Sequence, residues 1–230
     1  MPPTTERARN HAGLPSPEST RDRLVVAAAH LFARHGIEEV PLRDVAHLAA
    51  QRNASAVQYH FDGRWDLVAA ILVRHGETVR GWAAPLDEQS APAIVSSLIE
   101  LLRPKLADAE GRDFLRIIFE LMSRYPGRWD EAARDLGRAP GRAGFRRVVD
   151  RLTALLADLP RDVARARAIS MTQFVTQQFA ERARLIDEGS RRGLSDVRFA
   201  ANLDAMALAL LTAPLPSALD ARPEPRTLSR

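Results

Sequence analysis

A chain of 230 residues with 46% hydrophobic and 6% aromatic residues can bury a sizeable core without covalent staples. It contains no cysteine, which excludes disulfides and thiolate-held metals. Thirty-three basic residues face 29 acidic ones, and Lys105 is the only lysine; the net charge of +4 leans toward anionic partners but identifies none.

Residues 1–18 carry Pro2, Pro3, Pro15 and Pro17 among polar neighbours and are expected to form a disordered arm. They hold no apolar centre of the kind a secretory signal needs. Residues 214–230 read as a similar tail. The longest apolar run, Ala205 to Ala213, is too short to span a bilayer, so no membrane partner is expected and the expected location is cytoplasmic. Between the two tails there is almost no alternating pattern and helical spacing throughout, so the expected fold class is all-α.

The first helix is expected to open at Ser19 or Thr20, with Asp22 and Arg23 in its first turn. Leu24, Ala27, Ala28, Leu31 and Phe32 then form one apolar stripe, and Gly36 offers a stop. Pro41 suits the start of a short second helix with Leu42, Val45, Ala46 and Ala49 turned inward. After a break at Gln51-Arg52-Asn53, a third short helix runs to Phe61 and buries Val57 and Phe61. A fourth begins near Arg64 and carries Trp65, Val68, Ile71, Leu72 and Val79 on one side. Two short amphipathic helices braced by longer ones match a helix-turn-helix, although such pairs also occur in any helical bundle.

Further helices are expected at Pro92–Ala109, Asp113–Arg124, Trp129–Leu136, Ala143–Leu159, Arg161–Glu188 and Ser195–Leu211. No metal, nucleotide or other cofactor motif is present in them. His30 and His35 are five residues apart, off the spacing that places two ligands on one helical face. Tyr59, His60 and Asp62 could be taken for a catalytic cluster. Adjacent helical residues point about 100 degrees apart, however, so the Tyr-His pair does not converge on one substrate and the chain does not read as an enzyme.

The stretch RLVVAAAHLFARHGIEEVPLRDVAHLAAQRNASAVQYHFDGRWDLVAAIL resembles the DNA-binding domain of TetR-family transcriptional regulators. The resemblance is carried by the order and spacing of Ala28-x-x-Leu31-Phe32-x-x-x-Gly36, Arg43-Asp44-Val45-Ala46, Tyr59-His60-Phe61, Arg64 and Leu67. Where the family often has Ala-Gly-Val-Ser between its short helices, this chain has Ala-Ala-Gln-Arg-Asn, one residue longer. Val40-Pro41 replaces the family's phosphate-contacting Thr, and Val57-Gln58 stands where many members have Leu-Tyr.

The resemblance implies a division into a helix-turn-helix domain over 19–66 and an effector-binding and dimerisation domain over 67–213. It also implies three partners: a double-stranded DNA operator, a small-molecule effector and a second copy of the chain. On DNA, Asn53, Ser55 and Gln58 would meet base edges, Asn and Gln pairing with adenine, and Ala54 would allow close approach. Arg43, Tyr59, His60 and Arg64 would contact phosphates, and Arg52 either bases or backbone. Two other readings stay open here: Tyr59 as a brace between helices one and three, and His60 as a cap on its own helix.

For the effector, candidate lining residues are Leu102, Phe114, Ile118, Met122, Phe145 and Phe174, which core packing would use equally well. Arg103, Arg116 or Arg147 pointing inward would favour an anionic ligand. The last two helices carry apolar residues on more than one face, so Met171, Val175, Phe179, Leu203 and Leu210 are expected at a dimer interface; central core helices of a monomer would look the same. The overall expectation is a ligand-responsive repressor, with a helical ligand-binding or scaffold protein that does not bind DNA as the alternative.

Overall fold

The computed structural model describes residues 19–51, 55–83, 86–125, 140–190 and 193–216, and every regular element among them is helical. The expected arm, most of the expected tail and the expected helix Trp129–Leu136 lie outside the described residues.

Helix α1 spans Thr20–His35 and begins with a reciprocal cap. The Asp22 amide donates to Ser19 Oγ at 3.1 Å, and the Ser19 amide donates to the Asp22 carboxylate at 3.3 Å. Gly36 ends it at φ +92°, a conformation that disfavours any residue with a side chain. Leu24, Ala28 and Phe32 are fully buried, with Val25 and Ala29 buried beside the expected stripe.

Helix α2 (Leu42–Leu48) turns Val45 and Ala46 into the core. Its end is closed by two backbone bonds, Gln51 N–H to Ala46 O and Ala50 N–H to His47 O, with Ala50 left-handed at φ 56°. Helix α3 (Ser55–His60) follows and buries Val57, with Phe61 buried just after it. Helix α4 (Arg64–Ala83) is long, with Leu67, Val68, Ile71 and Leu72 inside; the side chains of Val79 and Trp82 lie outside the described set.

The expected helix Pro92–Ala109 is two elements. Helix α5 (Ala91–Leu102) gives way to a 3₁₀ turn, Arg103–Leu106. Pro104 cannot donate a helical hydrogen bond and its ring crowds the preceding turn, so the α-helix stops before it. Helix α6 (Ala109–Arg124) then starts four residues earlier than expected, because the Asp108 carboxylate accepts from Gly111 N–H at 2.7 Å and caps it. Helix α7 spans Pro140–Leu155, shifted from the expected Ala143–Leu159, with proline at its first position and turns over its expected last residues.

Helices α8 (Arg161–Asp187) and α9 (Asp196–Thr212) fall within a residue of expectation at each end. Arg167 on α8 donates to the carbonyls of Leu211, Ala213 and Pro214, which gives the end of α9 a cationic cap. Helix α6 packs against both α1 and α8, and α4 against α7 and α1. One continuous apolar cluster therefore runs from Leu24 in α1 to Leu211 in α9.

Candidate nucleic-acid interface

Helices α2 and α3 pack on each other and bury Val45, Ala46 and Val57, while Arg43 and Asp44 on α2 and Gln58 and Tyr59 on α3 stay in solvent. On α3, Gln58 is exposed and Tyr59 is 85% exposed. That exposure removes the reading of Tyr59 as a brace between helices. The half-buried His60 meets the edge of the Tyr59 ring, 4.9 Å between centroids. The backbone of Ser55 begins α3, but its side chain, like Arg52, Asn53 and Ala54, lies outside the described residues.

On α2, the Arg43 side chain is 78% exposed, with only the neighbouring Asp44 carboxylate 3.6 Å away. A long basic side chain held this loosely can reach an anion without giving up a structural bond.

Arg64 is placed otherwise, and this corrects the expectation of a phosphate anchor. Its guanidinium turns inward and donates to the carbonyls of Ile37 and Val40, the latter at 2.6 Å. The group also sits over the Phe32 ring at 5.8 Å. The side chain is 20% exposed. Arg64 therefore ties the loop between α1 and α2 to the start of α4. The spacing of arginines in a sequence does not reveal which of them satisfies loop carbonyls, because that depends on where the loop runs.

In the helical body, Leu102, Phe114, Ile118 and Met122 are buried, and Phe145 and Phe174 are partly buried against the same core. An open groove lies between α7 and the start of α8, lined by Arg146, Asp150, Thr153, Leu156 and Arg165 among others. None of the six expected lining residues belongs to it.

Buried polar groups were the part the sequence left hidden. His75 on α4 is buried, stacked on Phe114 at 4.3 Å, with Lys105 Nζ 3.2 Å from Nδ1 and a Glu110 oxygen 3.5 Å from Nε2. Burial, and then the Lys105 ammonium, hold its pKa down at about 4 against the pull of Glu110.

Asp113 on α6 is buried as well. It accepts from Arg34 at 2.7 Å and Arg116 at 3.3 Å, and its second oxygen lies 3.3 Å from His30 Nδ1. Burial pushes its carboxyl up, partly offset by the Arg34 guanidinium. Asp187 at the end of α8 joins the group through Arg116 and through Arg112 at 2.6 Å. Arg116 thus does point inward as one expectation allowed, but it meets protein carboxylates there. Arg103 and Arg147 pair with Glu100 and Asp87 respectively.

Of the five residues expected at a dimer interface, Met171, Val175, Phe179 and Leu203 are closed inside this chain's own core. They have no surface left for a partner. Leu210 is 39% exposed, and Met206 and Val197 at 44% and 74% join it on α9. Helical periodicity marks a residue as buried; it does not say against which neighbour.

The fold and its exposed faces define a class: a short helix pair, braced by α1 and α4, on an all-helical body. Among solved structures the chain is similar to NalD of Pseudomonas aeruginosa, the secondary repressor of the MexAB-OprM multidrug efflux pump. The two share 18% identity over 85% of this chain and 97% of that one, with a TM-score of 0.57. It is similar to a TetR-family regulatory protein from Rhodococcus RHA1 at 20% identity, over 85% and 98% of the two chains, with a TM-score of 0.55. The fatty acid degradation regulator FadR from Bacillus halodurans matches at 10% identity, over 86% and 98%, with a TM-score of 0.53. The chain has the all-helical fold of TetR-family regulators across its described length. No family model and no curated relative matches the sequence. Among the described residues no helix is long and apolar enough to cross a membrane.

Proposed function

We propose that the protein is a homodimeric, ligand-responsive transcriptional regulator, acting as a repressor, that reads double-stranded DNA with α3. The observation that carries this reading is the exposed outer face of the α2–α3 pair, with Gln58 and Tyr59 in solvent on a helix whose other side is locked into the core. An α-helix fits the major groove, and Gln can pair bidentately with adenine there. Asn53, Ser55 and Gln58 read bases, with Arg52 and Ala54 at the same end of the helix. Arg43, Tyr59 and His60 meet phosphates. The unit over residues 19–66 does the reading and the body over 67–213 supplies regulation.

Met206 and Leu210, exposed four residues apart on one side of α9, support dimerisation through a second copy. Two copies would present two reading helices to half-sites about one helical turn, or a multiple of it, apart. The effector is taken among α4, α5, α6, α7 and α8, lined by Leu102, Phe114, Ile118, Met122, Phe145 and Phe174. His75, stacked on Phe114, is a buried polar side chain beside that lining. Effector binding shifts the population between DNA-competent and incompetent arrangements.

The test is selection of bound sequences from a random duplex pool, together with a mobility shift on the DNA upstream of its own coding sequence. A palindromic consensus and a retarded band are expected. Gln58→Ala is expected to relax preference at one position of each half-site, a discrimination of about 1–3 kcal/mol. Failure to enrich any sequence would leave the helical ligand-binding protein as the better reading.

A further inference from the structure

Helix α4 joins the reading unit to the body through the chain itself. A second connection is made without the chain, by one face of α6. Asp113, Arg116 and Glu120 lie three and four residues apart, so they share a face, and that face meets the end of α1. Asp113 accepts from Arg34 in the last turn of α1. Two turns further along α6, Glu120 Oε1 accepts the Ile37 amide at 3.1 Å, in the loop that follows α1.

The Ile37 peptide groups are held from both sides: its N–H by α6 through Glu120, and its carbonyl by α4 through Arg64. Its side chain is fully buried. A displacement of α6 relative to α4 must therefore break one of these bonds or carry the α1–α2 loop with it. The Glu120 side chain is 14% exposed, so water does not readily replace the bond it makes.

We infer that α6 sets the orientation of the reading unit through a two-carboxylate clamp, in which Asp113 holds Arg34 and Glu120 holds the amide of Ile37. These are positioning residues: they touch neither DNA nor effector, and they make α6 a route by which the body acts on α2 and α3. For its consequence on DNA the inference rests on the function proposed above, but the clamp can be tested without DNA.

The absence of cysteine allows clean double labelling. His47→Cys on α2 and Asp158→Cys between α7 and α8, both exposed positions, would carry spin labels, with labelled chains diluted into unlabelled ones. The distance distribution reports the reading unit against the body by pulsed electron resonance. Glu120→Ala cuts one arm of the clamp, and Arg34→Met with His30→Ala cuts the other, because His30 on α1 also lies 3.3 Å from Asp113; both changes leave Asp113 paired with Arg116. Each is expected to broaden the distribution, with a second population of about 10% or more, while circular dichroism stays helical. Glu120→Gln keeps an acceptor for the Ile37 amide and is expected to stay narrow.

Wild-type width in both the Arg34→Met, His30→Ala double variant and Glu120→Ala would overturn the clamp. Equal broadening in Glu120→Gln would also overturn it, by placing the effect on charge and not on the bond to Ile37. A narrow wild-type distribution that broadens on cutting the clamp supports it even if no DNA sequence is ever selected.

Discussion

Ala50 and Arg64 carry the two residue-scale lessons of the reading unit. Ala50 is left-handed at φ 56°, at the position after α2 where glycine is usual and where the resembling family often has one. An alanine there pays for its Cβ. Ala50→Gly is expected to raise stability by about 1 kcal/mol, the left-handed cost less glycine's added freedom in the unfolded chain; the midpoint of thermal unfolding measures it. Arg64 shows the opposite case, a side chain the sequence marks as basic and available that the fold has already committed. Removing it leaves the carbonyls of Ile37 and Val40 without this donor. Arg64→Ala is therefore expected to cost about 2–3 kcal/mol of stability, read from urea unfolding. Its effect on DNA binding would then be a loss for all sequences alike with the salt slope unchanged, whereas a phosphate contact would lower the slope by about one.

At the scale of elements, nearly every helix was legible. Capping residues, proline and glycine positions and the 3.6-residue period placed α1 to α4, α8 and α9 closely. The exceptions are the split at Pro104, which turns on one imino acid inside an otherwise unbroken apolar pattern, the start of α6 four residues early on its Asp108 cap, and the earlier start and end of α7. What periodicity could not assign was the partner of each apolar face. Both α8 and α9 are apolar on more than one side, and Met171, Val175, Phe179 and Leu203 are spent inside the chain. The outer face of α9 keeps Met206 and Leu210. If that face meets a second copy, Met206→Glu together with Leu210→Glu is expected to give a monomer by sedimentation velocity at micromolar concentration, with its own melting curve little changed because both positions are exposed in one chain. A dimer that survives the double change would place the interface elsewhere.

The whole molecule adds a dependence on pH that no single helix shows. His75 is neutral in the folded chain because its site, between α4, α6 and the turn holding Lys105, excludes a second positive charge. Its folded pKa of about 4 lies below the ordinary value of 6.5. Between those two values the unfolded chain takes up a proton that the folded chain refuses, so this group's contribution is full above pH 6.5 and is lost as pH falls toward 4. The loss is about 3 kcal/mol at most. Asp113 and Glu120 act in the opposite sense, since burial raises both carboxyls and the folded chain takes their protons first as pH falls. Comparing urea midpoints of the wild type and His75→Phe at pH 7 and pH 5 isolates the histidine: the variant is expected to lose less stability over that interval. An equal loss in both chains would mean that His75 titrates normally.

By itself the sequence determined most of the helices, the two ends of α1 at Ser19 and Gly36, the short-helix pair and the outward-facing Gln58 of its third helix. These follow from local propensity and period, which act within a few residues along the chain. Only the tertiary structure decided that Arg64 faces inward, that Asp113 and Glu120 hold the end of α1, and that His75 is buried against Phe114. Burial of apolar surface is non-directional, so a stripe demands cover without naming what covers it. The polar groups trapped when the helices close must find partners far along the chain. Those partners, 83 residues apart for Ile37 and Glu120, exist only once the packing is set.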